Sequence, residues 1–502
     1  MSVANKTLFS ASILVAANFI QRLLGIISMV VLARILTPED FGMVAIVTLA
    51  VFFFETLTNL GAKQYISQAK HVDEEVVNSA WTLNIIIKLF CWLLLVFSAE
   101  SIALFLEKPE MVNALYALSL ILPVTCFSNP GMLLFIRDLN YGPQFKIMVS
   151  TKFISFCFVI TYAVWQQTYW AMIWGSVISY FLPAIFSHFM TNHKQRLTLQ
   201  NAKKQLSFSK WIIMNGVLGY SKSQTDSFVV SKFFSLETIG IYGMFKNLAM
   251  MPISLVIDPA TEPLLASFSK SKRAGEILPY QINLAILVSF LFVCPLVTLF
   301  ILFHHDVILL VLGEKWVENS IVLAALSPML LSYTLVRVVS QLVIAKGKLS
   351  SLFYFDLVIF FFVTIILVYM SDDTVLNFSL TRSFLAMLSA FMFILFIVRK
   401  HMKIGVSTLI LFMLPFTCSI ISAILIMQIM AFIPEFNLFL NLAIGSLLFA
   451  ALYLLFLVLT FYPVRNKYEV KIVHTILTKL LSKISSIKAT LRKNKVDGFK
   501  SV

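Results

Sequence analysis

Six basic residues, Arg22, Lys88, Lys222, Lys246, Arg337 and Arg382, lie inside long apolar stretches of helix length. A Lys or Arg at the centre of a membrane-spanning helix costs about 2.5–3.5 kcal/mol on insertion scales, so six facing lipid would cost roughly 15–20 kcal/mol. They are therefore expected to point into a water-filled interior or at partners. An interior lined by positive charge is explained most simply by an anionic passenger, and all six are candidate substrate-binding residues. The same stretches hold carboxylates at Glu55, Glu100, Asp226, Asp258, Glu262 and Asp356. Intramembrane carboxylates relay protons or sodium ions, or pair with a neighbouring cation. Glu55, Asp226 and Asp258 are the ion-coupling candidates, with ion pairing as the competing role. Lys222 and Asp226, four apart on one helix, would neutralise each other; Arg22 would reach Glu55 on the next span. Lys246, Arg337 and Arg382 lie nearer helix ends, where snorkelling is an alternative.

Catalytic signatures are missing: the chain has no GxxxxGK[ST], HExxH or GxSxG motif and no large extramembrane segment to hold an active site. A non-enzymatic protein is expected, without cofactor, and driven by a proton or sodium gradient if it is ion-coupled. The five cysteines fall within apolar spans with no CxxC or Cys/His cluster, which argues against disulfides and a metal site.

The elements that must position these residues are transmembrane helices. Of 502 residues 59% are hydrophobic and 13% charged, with mean hydropathy +0.91, a balance found in polytopic membrane proteins. Apolar runs near 11–34, 41–66, 79–106, 111–135, 148–166, 168–190, 210–234, 238–264, 283–312, 320–344, 351–371, 375–398, 406–431 and 437–461 predict an all-α protein of about fourteen spans. The first is too long for a signal peptide and contains Arg22. The net charge of +15 falls mainly in alternate loops and the C-terminal stretch, which fits the positive-inside rule rather than nucleic-acid binding. Both termini are then expected in the cytoplasm.

Sliding the chain on itself reveals a repeat. Ala33-Arg-Ile-Leu-Thr-Pro-Glu-Asp-Phe-Gly42 aligns with Ser231-Lys-Phe-Phe-Ser-Leu-Glu-Thr-Ile-Gly240, and Leu106-Glu-Lys108 echoes Gly313-Glu-Lys315. Six spans separate the copies, so they share an orientation. This predicts two six-helix lobes, 1–190 and 210–398, related by a pseudo-two-fold along the membrane normal. A cytoplasmic linker at 191–209, two further helices at 399–462 and a basic amphipathic tail at 463–502 lying on membrane lipids complete the expected organisation. Thr37 and Ser235 are expected helix caps, with Asp40 and Glu237 near the positive end of the dipole.

The segment Ala17-Asn-Phe-Ile-Gln-Arg-Leu-Leu-Gly-Ile-Ile-Ser-Met-Val-Val-Leu-Ala-Arg-Ile-Leu-Thr-Pro-Glu-Asp-Phe-Gly-Met-Val-Ala45 resembles the opening of bacterial polysaccharide transporters. These are oligosaccharide flippases, of colanic-acid exporter type, in the multidrug/oligosaccharidyl-lipid/polysaccharide exporter superfamily. The segments Asp226–Tyr242 and Leu312-Gly-Glu-Lys-Trp316 are similar to later parts of the same pattern. The resemblance implies a bacterial inner-membrane protein that flips an undecaprenyl-pyrophosphate-linked repeat unit for surface polysaccharide synthesis. A polysaccharide polymerase and chain-length proteins are its implied partners, and Arg22 matches a helix 1 arginine of related lipid II flippases. A cation-coupled drug exporter of the same superfamily is the first alternative and would call for an acidic cavity. A membrane-embedded glycan polymerase or ligase is the second, and would need a sizeable outward loop.

Overall fold

A computed structural model describes residues 3–68, 72–138, 140–259, 261, 279–398, 406–432 and 437–463. Glu262, the basic loops near 270–273 and 399–403, and the expected tail helix lie outside the described residues. The principal helices are α1 (Val3–Ile35), α2 (Pro38–Leu57), α3 (Glu74–Phe105), α4 (Pro109–Cys126), α5 (Gly142–Gln166), α6 (Trp170–Met190) and α7 (Ala202–Phe233). They continue with α8 (Leu236–Pro252), α9 (Pro279–Leu302), α10 (Ile321–Ile344), α11 (Leu349–Tyr369), α12 (Val375–Phe393), α13 (Val406–Met430) and α14 (Leu438–Phe461). Each overlaps one expected span, although those expected at 111–135 and 283–312 end early, at Cys126 and Leu302.

Among the described residues, thirteen helices are long and apolar enough to cross a bilayer. The remaining principal helix is α7, which is longer and more polar than expected. It starts at Ala202, inside the stretch expected to be linker, and carries Lys203, Lys204, Lys210, Lys222, Asp226 and Lys232. Its 32 residues rise roughly 48 Å, against a hydrocarbon core of about 30 Å, so a polar first third can lie beyond the apolar layer. The true connector, 191–201, is non-helical and docks on α3. Asn78 Oδ1 meets His193 Nε2 at 3.0 Å, the Thr198 amide donates to Thr82 Oγ1 at 3.1 Å, and the Asn201 amide donates to Ser79 Oγ at 3.1 Å. The buried polar residues of α3 thus satisfy a backbone that has no helix of its own.

Prolines act locally. After Pro252 the helix passes into a π turn at Ile253–Ile257, and α4 is assembled from a 3-10 turn and two short helical pieces around Pro123. Both expected caps form. Thr37 Oγ1 accepts from the Asp40 amide while Asp40 accepts from the Thr37 amide, a closed capping box, and Ser235 accepts from the Thr238 amide.

By contact the chain divides into two compact units. The first holds Met1–Leu255, His304–Ser327 and Ser350–Ala386; the second holds Val256–Phe303, Pro328–Leu349 and Met387–Val502. The expected lobes 1–190 and 210–398 rest on sequence symmetry, whereas these units are a division by packing. In the first unit α2 lies along α8, and α5 packs between α1 and α6 around Leu32, Leu36, Val159, Ala163 and Ala171. In the second, α13 packs on α9 and α14, with Thr298 Oγ1 and Ser419 Oγ 2.6 Å apart and Tyr453 donating to the Leu291 carbonyl.

Within the first unit the two repeat segments meet each other. A Cβ on Gly42 would overlap the Leu236 carbonyl oxygen, and one on Gly240 would overlap the Pro38 carbonyl oxygen. Leu236 and Pro38 are repeat-equivalent, as are the two glycines. The α2–α8 contact therefore has local two-fold symmetry, and only glycine permits the backbones to approach so closely.

Candidate functional site

The six intramembrane cations do not share one site. Arg22, on α1, lines a polar cavity of about 340 Å³ together with Asn18, Gln21, Thr151, Lys152, Ser179 and Tyr180 from α1, α5 and α6. The Gln21 amide nitrogen donates to the Met148 carbonyl at 3.1 Å and ties α1 to α5. Arg22 forms no ion pair with Glu55, nor any other ion pair or hydrogen bond among the described residues. Lys88, on α3, donates to Thr125 Oγ1 at 2.7 Å and lies within electrostatic reach of Glu55 on α2. Glu55 also acts on Tyr180 and Tyr220, so it sits among α2, α3, α6 and α7.

The other four hold carboxylates. Lys222 pairs with Asp356 on α11, not with Asp226 as its spacing suggested. The reason is what surrounds Asp226. That carboxylate is fully buried and faces α8 and α12, where Lys246 reaches it at 2.9 Å, Arg382 at 3.5 Å, and Tyr242 donates to it at 2.5 Å. Arg382 is itself only 5% exposed. Lys246 and Arg382 thus turn inward to a partner, and snorkelling does not describe them. Two cations on one buried anion leave this cluster with a net positive charge. Lys246 also faces a second cavity of about 340 Å³, between α2, α7 and α8, lined by Thr48, Tyr220, Gln224, Ser227 and Asn247 among others. Arg337 pairs with Asp258 at 2.9 Å, within the second unit.

The structure adds basic residues that sequence reasoning read only as part of the repeat. Arg34 donates to the Leu310 carbonyl at 2.7 Å, and Lys232, its repeat equivalent, reaches the Phe105 carbonyl and Glu107, at 2.6 Å from the latter. Each copy's cation grips the turn that carries the Glu-Lys echo of the other copy. Gly313, at φ +98°, lets the chain turn so that Trp316 Nε1 donates to the Ala33 carbonyl at 2.9 Å and Lys315 to the Ile35 carbonyl at 3.1 Å. The turn after α1 is thereby tied to the segment after α9, and the end of α7 to the turn after α3.

A family profile described as "Polysaccharide biosynthesis protein" matches residues 31–321, more than half of the chain. The chain belongs to the polysaccharide biosynthesis protein family. Among curated proteins it is 22% identical over 360 residues to the lipopolysaccharide biosynthesis protein WzxC of Escherichia coli, covering 71% of this chain and 73% of that one. It is 23% identical over 322 residues to an uncharacterized membrane protein in the cps region of Klebsiella pneumoniae, covering 63% of this chain and 66% of the relative, slightly under two thirds of its length. Among solved structures, lipid II flippase MurJ in an inward closed conformation superposes with a TM-score of 0.75 at 16% identity, over 90% of this chain and 99% of that one. An inward-facing multidrug resistance MATE transporter gives 0.58 at 13% identity, over 78% and 98%. The fold of this family member is the two-lobed, all-helical transporter fold, and the protein is a multi-pass membrane protein.

Proposed function

We propose that this protein is a flippase that moves a polyprenyl-diphosphate-linked oligosaccharide across the bacterial inner membrane by alternating access, with both termini cytoplasmic. The observation that carries this reading is Arg22: a guanidinium at membrane depth, opening on a polar cavity, with no carboxylate to neutralise it among the described residues. Retaining such a charge costs stability unless an anion meets it during the working cycle. Lys88, held by a neutral hydroxyl, and Lys222, in a part-exposed pair with Asp356, are the further headgroup contacts. Lys246 and Arg382 organise Asp226, and Arg337 holds Asp258. Family membership and the names of the relatives support a passenger in polysaccharide biosynthesis; a lipid-linked repeat unit is the chemistry that suits both the cations and the fold.

The multidrug alternative fares worse on the same residues. An organic cation needs an available carboxylate, whereas Asp226, Asp258 and Asp356 each hold a Lys or Arg. Glu55 remains the coupling candidate for protons or sodium. Deleting the gene is expected to abolish surface polysaccharide and leave lipid-linked repeat units trapped on the cytoplasmic leaflet, measured by protection from a membrane-impermeant glycan label. Repeat units labelled as efficiently in the deletion strain as in the parent refute the proposal.

A further inference from the structure

We infer that Lys152 completes an anion subsite with Arg22 in the cavity between α1, α5 and α6, and that its ligand is a diphosphate on a lipid carrier. This rests on the flippase reading above and adds to it a residue and a place. The cavity holds about 340 Å³, a volume that takes a diphosphate but not a multi-sugar repeat unit. Two of its lining side chains, Arg22 and Lys152, are cations, and no lining residue is a carboxylate. Of the lining, Tyr180 lies within electrostatic reach of Glu55 on α2.

Four polar groups of the lining, Asn18, Arg22, Lys152 and Tyr180, make no hydrogen bond or ion pair among the described residues. The others are spent: Gln21 donates to Met148, Thr151 to the Ile147 carbonyl, and Ser179 to the Gly175 carbonyl. What faces the cavity is therefore two positive charges, an amide and a phenol, all able to donate. Asn18 and Arg22 are four apart on α1, so they project from one face. Lys152 stands on α5, which Gln21 ties to α1, so the two cations are carried on a braced pair of helices. Charges left unneutralised in a half-buried cavity lose hydration without a partner in return. A multivalent anion offsets that cost at both cations at once, and a monovalent one only in part.

A diphosphate could come from the carrier itself or be mimicked by an anionic phospholipid headgroup, and the test separates these. The full-length protein in nanodiscs is titrated with undecaprenyl diphosphate, with undecaprenol, and with phosphatidylglycerol, and binding is read by native mass spectrometry. Lys152→Gln is expected to weaken undecaprenyl diphosphate binding about 10- to 100-fold, the loss of one charge-assisted hydrogen bond. Lys152→Arg should restore most of it, and undecaprenol binding should be the same in all three proteins. Without ligand, Lys152→Gln should melt at or above the wild-type temperature, because a half-buried charge without a partner has gone. Unchanged diphosphate affinity in Lys152→Gln, while Arg22→Gln loses it, overturns the subsite and leaves the flippase reading standing. Wild-type protein that binds undecaprenol as tightly as its diphosphate sinks both. Equal weakening for phosphatidylglycerol overturns the inference in favour of a structural lipid, and a lower melting temperature of ligand-free Lys152→Gln overturns it in favour of a structural lysine.

Discussion

At the residue scale, the decisive distinction is between cations that hold a carboxylate and those that do not. Asp226 is fully buried and receives Lys246, Arg382 and Tyr242. Asp226→Asn removes the buried carboxylate that Lys246 and Arg382 face and is expected to cost about 3–5 kcal/mol, read as a large fall in melting temperature in detergent. Asp356→Asn breaks a pair whose members are each about one third exposed, and should cost less than about 1 kcal/mol by the same measurement. Glu107, in the turn after α3, is held by the Lys232 ammonium, which keeps its carboxyl below the usual carboxylate range. A depressed value stabilises the fold above the ordinary pKa and stops doing so as pH falls through the depressed one. The difference in melting temperature between wild type and Glu107→Gln should therefore be present at neutral pH and be lost as pH falls below the ordinary carboxylate range. Of the six cations Arg382 is buried and Arg337 is exposed, and the sequence reading mispaired Lys222, because helical spacing reports neighbours on one helix and says nothing of α8, α11 or α12. It passed over Lys152, which stands only four residues inside the expected fifth span and reads as a flanking charge. The signal available was Asn18 and Arg22 sharing a face, which points to a polar cavity in need of an opposite wall.

At the element scale, thirteen spans were readable because apolar length is written in composition. The start of α7 was not, since its first turns are basic and carry no apolar stripe against which to read a helix. Nor did composition show that α2 and α8 touch. The repeat aligned Gly42 with Gly240, and the structure gives the reason for both glycines: each backbone lies against a carbonyl of the other helix. Gly240→Ala should force α2 and α8 apart and cost about 1–3 kcal/mol or more. Gly219→Ala, on the exposed face of α7 with open space where its Cβ would stand, should stabilise by about 0.5–1 kcal/mol. Melting curves of the two alanine variants side by side test whether close approach, rather than glycine content, is what the repeat preserves.

At the scale of the whole molecule, the sequence carried the class and the fold, because the apolar spans, the internal repeat and one long recognisable opening segment agree with one another. The pairing of charges was not legible, since it depends on distances across helices remote in the chain. Four of the six intramembrane cations proved to be bound to carboxylates, so the case for an anionic passenger narrows to Arg22 and Lys88, with Lys222 in an exchangeable pair. The most direct test places Arg22→Ala with Lys222→Ala in a strain lacking the native gene, and measures surface polysaccharide against the amount of protein in the membrane. The expected result is a full complement of membrane-inserted protein with no polysaccharide at the surface, and partial recovery when Arg22 is replaced by Lys instead. Normal surface polysaccharide in the double variant would contradict a role for these charges in carrying the passenger.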